Sequence, residues 1–159
     1  LNLSEIEIGL CLDTLEINDF NNITGGIYFS YNDQCFPEKC WDDFVVVILG
    51  WWHKALLNLI RSPRNGVVEE FLFMDGPFLV KVKKLYDDVI KLVFIEERLK
   101  SKHIYFTCQT SIHHLKNALT KNAKLLLEEI EKRKWKTDDI DELKRVYNIL
   151  KNINSTFSQ

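Results

Sequence analysis

The sequence predicts an α+β fold: an antiparallel sheet of five to six strands, one buried helix inserted after the second strand, and a C-terminal helix pair. Three observations carry this. Short runs of period-2 alternation, bounded by Asn, Asp, Gly and Pro, occupy residues 3–31 and 67–108. Between them lies an apolar stretch, residues 41–61, whose single internal breaker is Gly50. Beyond residue 110 the apolar positions recur in steps of three, four and seven, the period of one-sided helices. Strands grouped apart from the terminal helices indicate α+β rather than alternating α/β.

Residues 3–17 read as a half-buried strand, with Ile6, Ile8, Leu10 and Leu12 on one side and Glu5, Glu7 and Asp13 outside it. Asn18, Asp19, Asn21 and Asn22, followed by Gly25-Gly26, supply a long turn, and residues 27–31 form a second strand. Asp42 and Asp43 stand where acids favour a helix start, and Lys54 and Arg61 where bases favour its end, so a helix is predicted over 41–61. The run Val45-Val46-Val47-Ile48 favours strand by propensity, but the segment is too long for one strand, and length decides for helix. Its apolar residues cover nearly the whole circumference, which implies burial on more than one side. Trp51 and Trp52 lie about 100° apart on such a helix, so one faces the sheet and the other a second layer or a partner.

Residues 62–66, Ser-Pro-Arg-Asn-Gly, break the chain. Strands are predicted at 67–74 and 78–84 around Asp75-Gly76-Pro77, at 89–97 after Asp87-Asp88, and at 103–108 after a charged turn, as an antiparallel meander. Thr110 or Ser111 caps a helix to about residue 134, with Ile112, Leu115, Leu119, Leu126 and Ile130 inward. Thr137 caps a final helix that buries Ile140, Leu143, Tyr147 and Leu150.

The 159 residues are 46% apolar and 12% aromatic, which excludes disorder and supports one cored domain over 1–159, its tail frayed after about residue 153. Cys11, Cys35, Cys40 and Cys108 show no secreted-framework spacing, and two of them lie in apolar runs. Reduced structural thiols are expected, with a Cys35–Cys40 disulfide or a metal loop as the alternatives. The opening Leu-Asn-Leu-Ser-Glu lacks the features of a signal peptide, and the window 44–60 is interrupted by Gly50, His53, Lys54 and Asn58. A cytoplasmic protein with no membrane partner is expected.

No motif dictates a reaction. There is no dinucleotide-binding, P-loop or nucleophile-elbow pattern. His113 and His114 point about 100° apart on a helix and lack a third ligand, so neither metal nor cofactor is expected. His53, among Trp51, Trp52, Ala55 and Leu56, reads as a satisfied core-edge histidine. Asp33, Glu38, Asp42 and Asp43 cluster in sequence, and paired carboxylates can perform acid/base chemistry, but no facing group is nominated. Helix capping accounts for Asp42 and Asp43.

Charge placement is more informative than the total of −2. Residues 1–43 carry nine acids against one base, Lys39, for a net of −8, and the remainder carries 20 bases against 14 acids, a net of +6. The acids lie in strands and turns rather than in a disordered tail. A concentrated negative surface repels nucleic acid and attracts basic proteins, so a protein partner is expected and a nucleic-acid partner is not.

The segment Phe36-Pro-Glu-Lys-Cys-Trp-Asp-Asp-Phe44, the Val-Val-Val-Ile-Leu-Gly-Trp-Trp that follows, and Phe73-Met-Asp-Gly-Pro-Phe78 resemble small bacterial immunity proteins of polymorphic and contact-dependent growth-inhibition toxin systems. The likeness covers positions 27–80 as motif and the rest as layout; within it, Cys40 occupies a place that suits a small residue such as Gly. The resemblance implies a non-enzymatic cytoplasmic inhibitor, bound to the C-terminal domain of a cognate toxin, commonly a nuclease. A nuclease needs a basic groove, which an acidic surface can occupy. Asp13, Glu16, Asp19, Asp33 and Glu38 are assigned the electrostatic part, and Tyr28, Tyr31 and Phe36 the aromatic anchors. Two other classes stay open: a small hydrolase or ligand-binding enzyme using Asp42, Asp43 and His53, and a scaffold that self-associates through Trp51 or Trp52.

Overall fold

In the computed structural model, which describes residues 5–154, strand β1 (Glu7–Ile17) pairs antiparallel with β2 (Ile23–Tyr31). Alternation sets the faces of this pair. Ile8, Ile27 and Phe29 turn into the core, while Gly9, Tyr28 and Ser30 line the other side. On the far edge of β2 sit two short strands, β3 (Gln34–Phe36) against residues 29–31 and β4 (Asp42–Asp43) against Gly25 and Gly26. The expected Gly25-Gly26 turn is therefore a strand interior. Leu15 explains the glycine at 25, because a Cβ there would lie 2.6 Å from Leu15 Cδ2.

The meander β5 (Val68–Leu72), β6 (Phe78–Tyr86), β7 (Val89–Arg98) and β8 (Ser101–Ser111) forms a second four-stranded sheet in that order. The expectation of one sheet of five to six strands is thus corrected to two sheets of four. Alternation marks a half-buried strand but does not say which ladder it joins, and both sheets turn an apolar face to the same interior. Phe29 of the first sheet meets Phe94 of the second at 5.5 Å between ring centroids, edge to face.

Helix α1 (Val45–Arg61) begins later than predicted because Asp42 and Asp43 are held in β4. As its apolar circumference requires, it is buried on several sides, against β2, β5 and the two later helices. Trp52 is fully enclosed, stacks on Phe71 and donates to the Leu72 carbonyl at 2.8 Å. Trp51, one position earlier, is 37% exposed.

Ser111 caps α2 (Ile112–Arg133) by accepting from His114 N, and Thr137 caps α3 (Asp138–Asn152) by accepting from Ile140 N. Helix α2 lies along β1, and α3 packs on α1 and α2. The expected frayed tail falls at residues 155–159, outside the described residues, as do the first positions of the predicted opening strand.

Candidate functional site

Between the pairs Cys11↔Gly26 and Glu16↔Thr24, residues 12–15 of β1 oppose Gly25 alone, so the strand bulges by several residues. Polar contacts on both sides hold it. Thr14 Oγ1 accepts from Gly26 N at 2.8 Å and donates to the Cys11 carbonyl at 2.6 Å. Arg133, at the end of α2, forks onto the carbonyls of Leu15 (2.9 Å) and Leu12 (3.2 Å). Its Nε is paired with Glu129, and its guanidinium lies 5.1 Å from the Trp135 ring centroid. The bulge places Asp13 and Glu16 in solvent.

Beside the bulge, Cys11 and Cys40 form a disulfide with a Cα–Cα distance of 5.8 Å. This corrects the expectation of four reduced thiols and excludes a Cys35–Cys40 bridge; Cys35 is half-buried and Cys108 buried, and neither is in a disulfide. Sequence spacing hides the pair because β1–β2 pairing and the loop after β3 bring it together across Gly26. A Cβ on Gly26 would lie 3.0 Å from Cys11 Cβ and from Cys40 Cα. Cys40 has a φ of 55°, the left-handed region, which is why a small residue suits the position.

The β1–β2 turn is short and well bonded. Asn18 Oδ1 accepts from Phe20 N and Asn22 N, both at 2.9 Å, and Asn18 N donates to the Asn22 carbonyl at 3.0 Å. Phe20 stands at its tip, 84% exposed. A cleft of about 460 Å³ separates this turn from the start of α3 and is lined by Phe20, Asn21, Asn22, Lys136, Asp138 and Asp139. The exposed Asp138 and Asp139 thus face, across this cleft, a turn that carries Asp19 next to the exposed Phe20, with Lys136 between them. Sequence reasoning assigned no contact role to Phe20, Asp138 or Asp139. The available signal was a phenylalanine inside an otherwise polar Asn/Asp turn.

The other expected contact residues scatter. Asp33 is exposed in the turn after β2, roughly 25 Å along that strand from Asp19. Glu38 is exposed in the loop that carries Cys40, with its carbonyl accepting from Trp41 N. Tyr31 is half-buried and stacks on Phe106 at 5.5 Å, and Tyr28 lies over Gly9. Phe36 is corrected outright: it has no exposed surface and packs edge to face on Phe73, Phe94 and Phe106, so no partner can reach it.

Asp42, Asp43 and His53 do not converge. Asp43 is buried and accepts from Phe44 N (2.7 Å), Trp41 Nε1 (3.0 Å) and Asp75 N (3.1 Å), tying the β5–β6 loop to the start of α1. This replaces the expected role of helix cap, since α1 has no side-chain cap and no acid in its first turn. Burial pushes the Asp43 carboxyl above the usual carboxylate range, against the opposing pull of those three hydrogen bonds. Asp42 is exposed on β4. His53 lies ten positions beyond Asp43, about 15 Å along the chain's helical rise, and is enclosed in α1. Its Nδ1–H donates to the Leu49 carbonyl at 2.7 Å, while Nε2 finds no hydrogen-bond partner among the described residues, so it is only half satisfied. Burial lowers its pKa to about 4. His114 donates from Nε2 to the Ile6 carbonyl at 2.7 Å, and His113 is exposed. Among the described residues no group of three or more His, Cys, Asp or Glu side chains is placed to hold a metal ion.

Comparison with protein-family models, with characterised proteins and with solved structures finds no match to this chain. Among the described residues no helix is long and apolar enough to cross a membrane.

Proposed function

We propose that this chain is a protein-binding module of the immunity type, which neutralises a basic toxin domain by occupying its surface. The observation that carries the reading is Phe20: an 84% exposed aromatic on a turn locked by Asn18, with Asp19 beside it and Asp138 and Asp139 across the cleft. Interface hot spots are rigid aromatics seated in a pocket, and surrounding charge of one sign steers the encounter with a partner of the other sign. Asp13 and Glu16, displaced by the bulge, extend the same negative field. Asp33 and Glu38 lie away from this centre and act at most through long-range charge. A nuclease, with its basic substrate groove, is the partner chemistry that fits best. A cytoplasmic setting accompanies this reading, although the Cys11–Cys40 bond removes the cysteine argument for a reducing compartment.

The test is co-purification with the toxin domain encoded beside this chain. The native chain is expected to retain it and Phe20→Ala to lose most of it; equal retention by both contradicts the reading.

A further inference from the structure

We propose that the seam between the end of α2 and the outer side of α3 is a second docking groove, fitted to an acidic amphipathic helix. The groove shares Lys136 with the Phe20 cleft but is lined by a different set of residues and selects the opposite charge. Its wider end is a cleft of about 570 Å³ over Leu127, Ile130 and Trp135, rimmed by Lys134, Lys136 and Lys144. Through Leu127, Glu131 and Lys144 it runs on into a shallower trough of about 190 Å³ that ends at Tyr147 beside Lys124.

Shape argues for an elongated occupant. From Lys136 to Tyr147 the seam extends about 16 Å along α3, the length of three helical turns, and an apolar floor with an aromatic at each end suits anchors at i, i+3 or i+4, and i+7. Charge argues for its sign. Some helix bases are committed to acids, Lys54 and Arg145 to Glu142 and Arg133 to Glu129. Lys124, Lys134, Lys136 and Lys144 make no ion pair among the described residues, and they outnumber the acids of the groove, Glu128 and Glu131. Unpaired cations beside half-buried apolar surface attract carboxylates around an apolar stripe and disfavour a basic partner.

The probe is a synthetic 15-residue helical peptide with Leu at positions 4, 7, 8 and 11 and Glu on the remaining face, titrated into the isotopically labelled full chain. Expected are saturable shifts centred on the Trp135 indole N–H and on Tyr147, with affinity falling at least about tenfold in Lys136→Glu/Lys144→Glu. Lys136→Gln/Lys144→Gln, which only removes charge, should fall part-way and keeps the test valid if charge reversal disturbs the helices. Absence of saturable shifts at millimolar peptide, shifts centred elsewhere, equal binding of the same peptide with Lys in place of Glu, or affinity unchanged in both lysine variants each overturns the proposal. Loss of toxin binding in Phe20→Ala has no bearing on these outcomes, so the two readings fail separately.

Discussion

Asn122, buried in α2, donates from its side-chain amide to the Ile8 carbonyl of β1 at 3.1 Å and to its own Ala118 carbonyl at 2.7 Å. The contact belongs to a series. His114 takes the Ile6 carbonyl, and Arg133 takes those of Leu12 and Leu15, so one helix satisfies the side of β1 that faces away from β2. An uncovered edge of eleven residues would invite pairing with another chain, and α2 removes that hazard while fixing where the bulge projects.

Replacing Asn122 by Leu keeps the volume but leaves the buried Ile8 carbonyl without a donor. The expected cost is about 1–3 kcal/mol in chemical denaturation, with an unchanged denaturant slope. A variant as stable as the native chain would mean that water reaches this carbonyl.

Arg133→Met removes both bonds to the bulge and leaves the alkyl packing near Trp135 in place. Amide hydrogen exchange at residues 12–15 should accelerate while exchange in β6 and β7 stays unchanged, because the bulge opens locally. Uniform acceleration throughout the chain would instead indicate that Arg133 supports global stability.

The Cys11–Cys40 bond closes a loop across 29 positions and is expected to contribute roughly 3–4 kcal/mol by restricting the unfolded chain. Reduction, or Cys11→Ser/Cys40→Ser, should lower the denaturation midpoint accordingly. Thiol titration of the unfolded, unreduced protein should detect only Cys35 and Cys108. Four reactive thiols would contradict the pairing.

His53 makes stability depend on pH. Its folded pKa of about 4 lies below the ordinary 6.5, so between those values the unfolded chain binds a proton that the folded chain refuses. The contribution is therefore complete above pH 6.5 and declines as pH falls towards 4, by about 3 kcal/mol in all. His53→Leu should flatten that part of the stability profile; an unaltered slope would assign it to other groups.

Much of the architecture was legible because local chemistry specified it. Ser111 and Thr137 cap α2 and α3 at the predicted places, and the 100° between Trp51 and Trp52 correctly sends one inward and one out. What escaped depends on which distant segments meet. The capture of Asp42 and Asp43 by β2 moved the start of α1, the pairing of β1 with β2 brought Cys11 to Cys40, and two ladders share one apolar interior. The site was legible only in its charge. Asp13, Glu16 and Asp19 are exposed, whereas Phe36 sits in the core because alternation in β3 turns it inward, and Phe20 was overlooked for want of any periodic pattern in a turn.

The central claim, that Phe20 and its ring of acids form the face that meets a basic toxin domain, is tested most directly by association kinetics with that domain across a salt series. The native chain should associate fast, with a rate that falls steeply as salt rises. Asp19→Lys/Asp138→Lys/Asp139→Lys should lower the association rate by about tenfold or more and flatten the salt dependence, while Phe20→Ala should mainly raise the dissociation rate. Rates unchanged in both variants, with the fold intact by circular dichroism, would contradict the account.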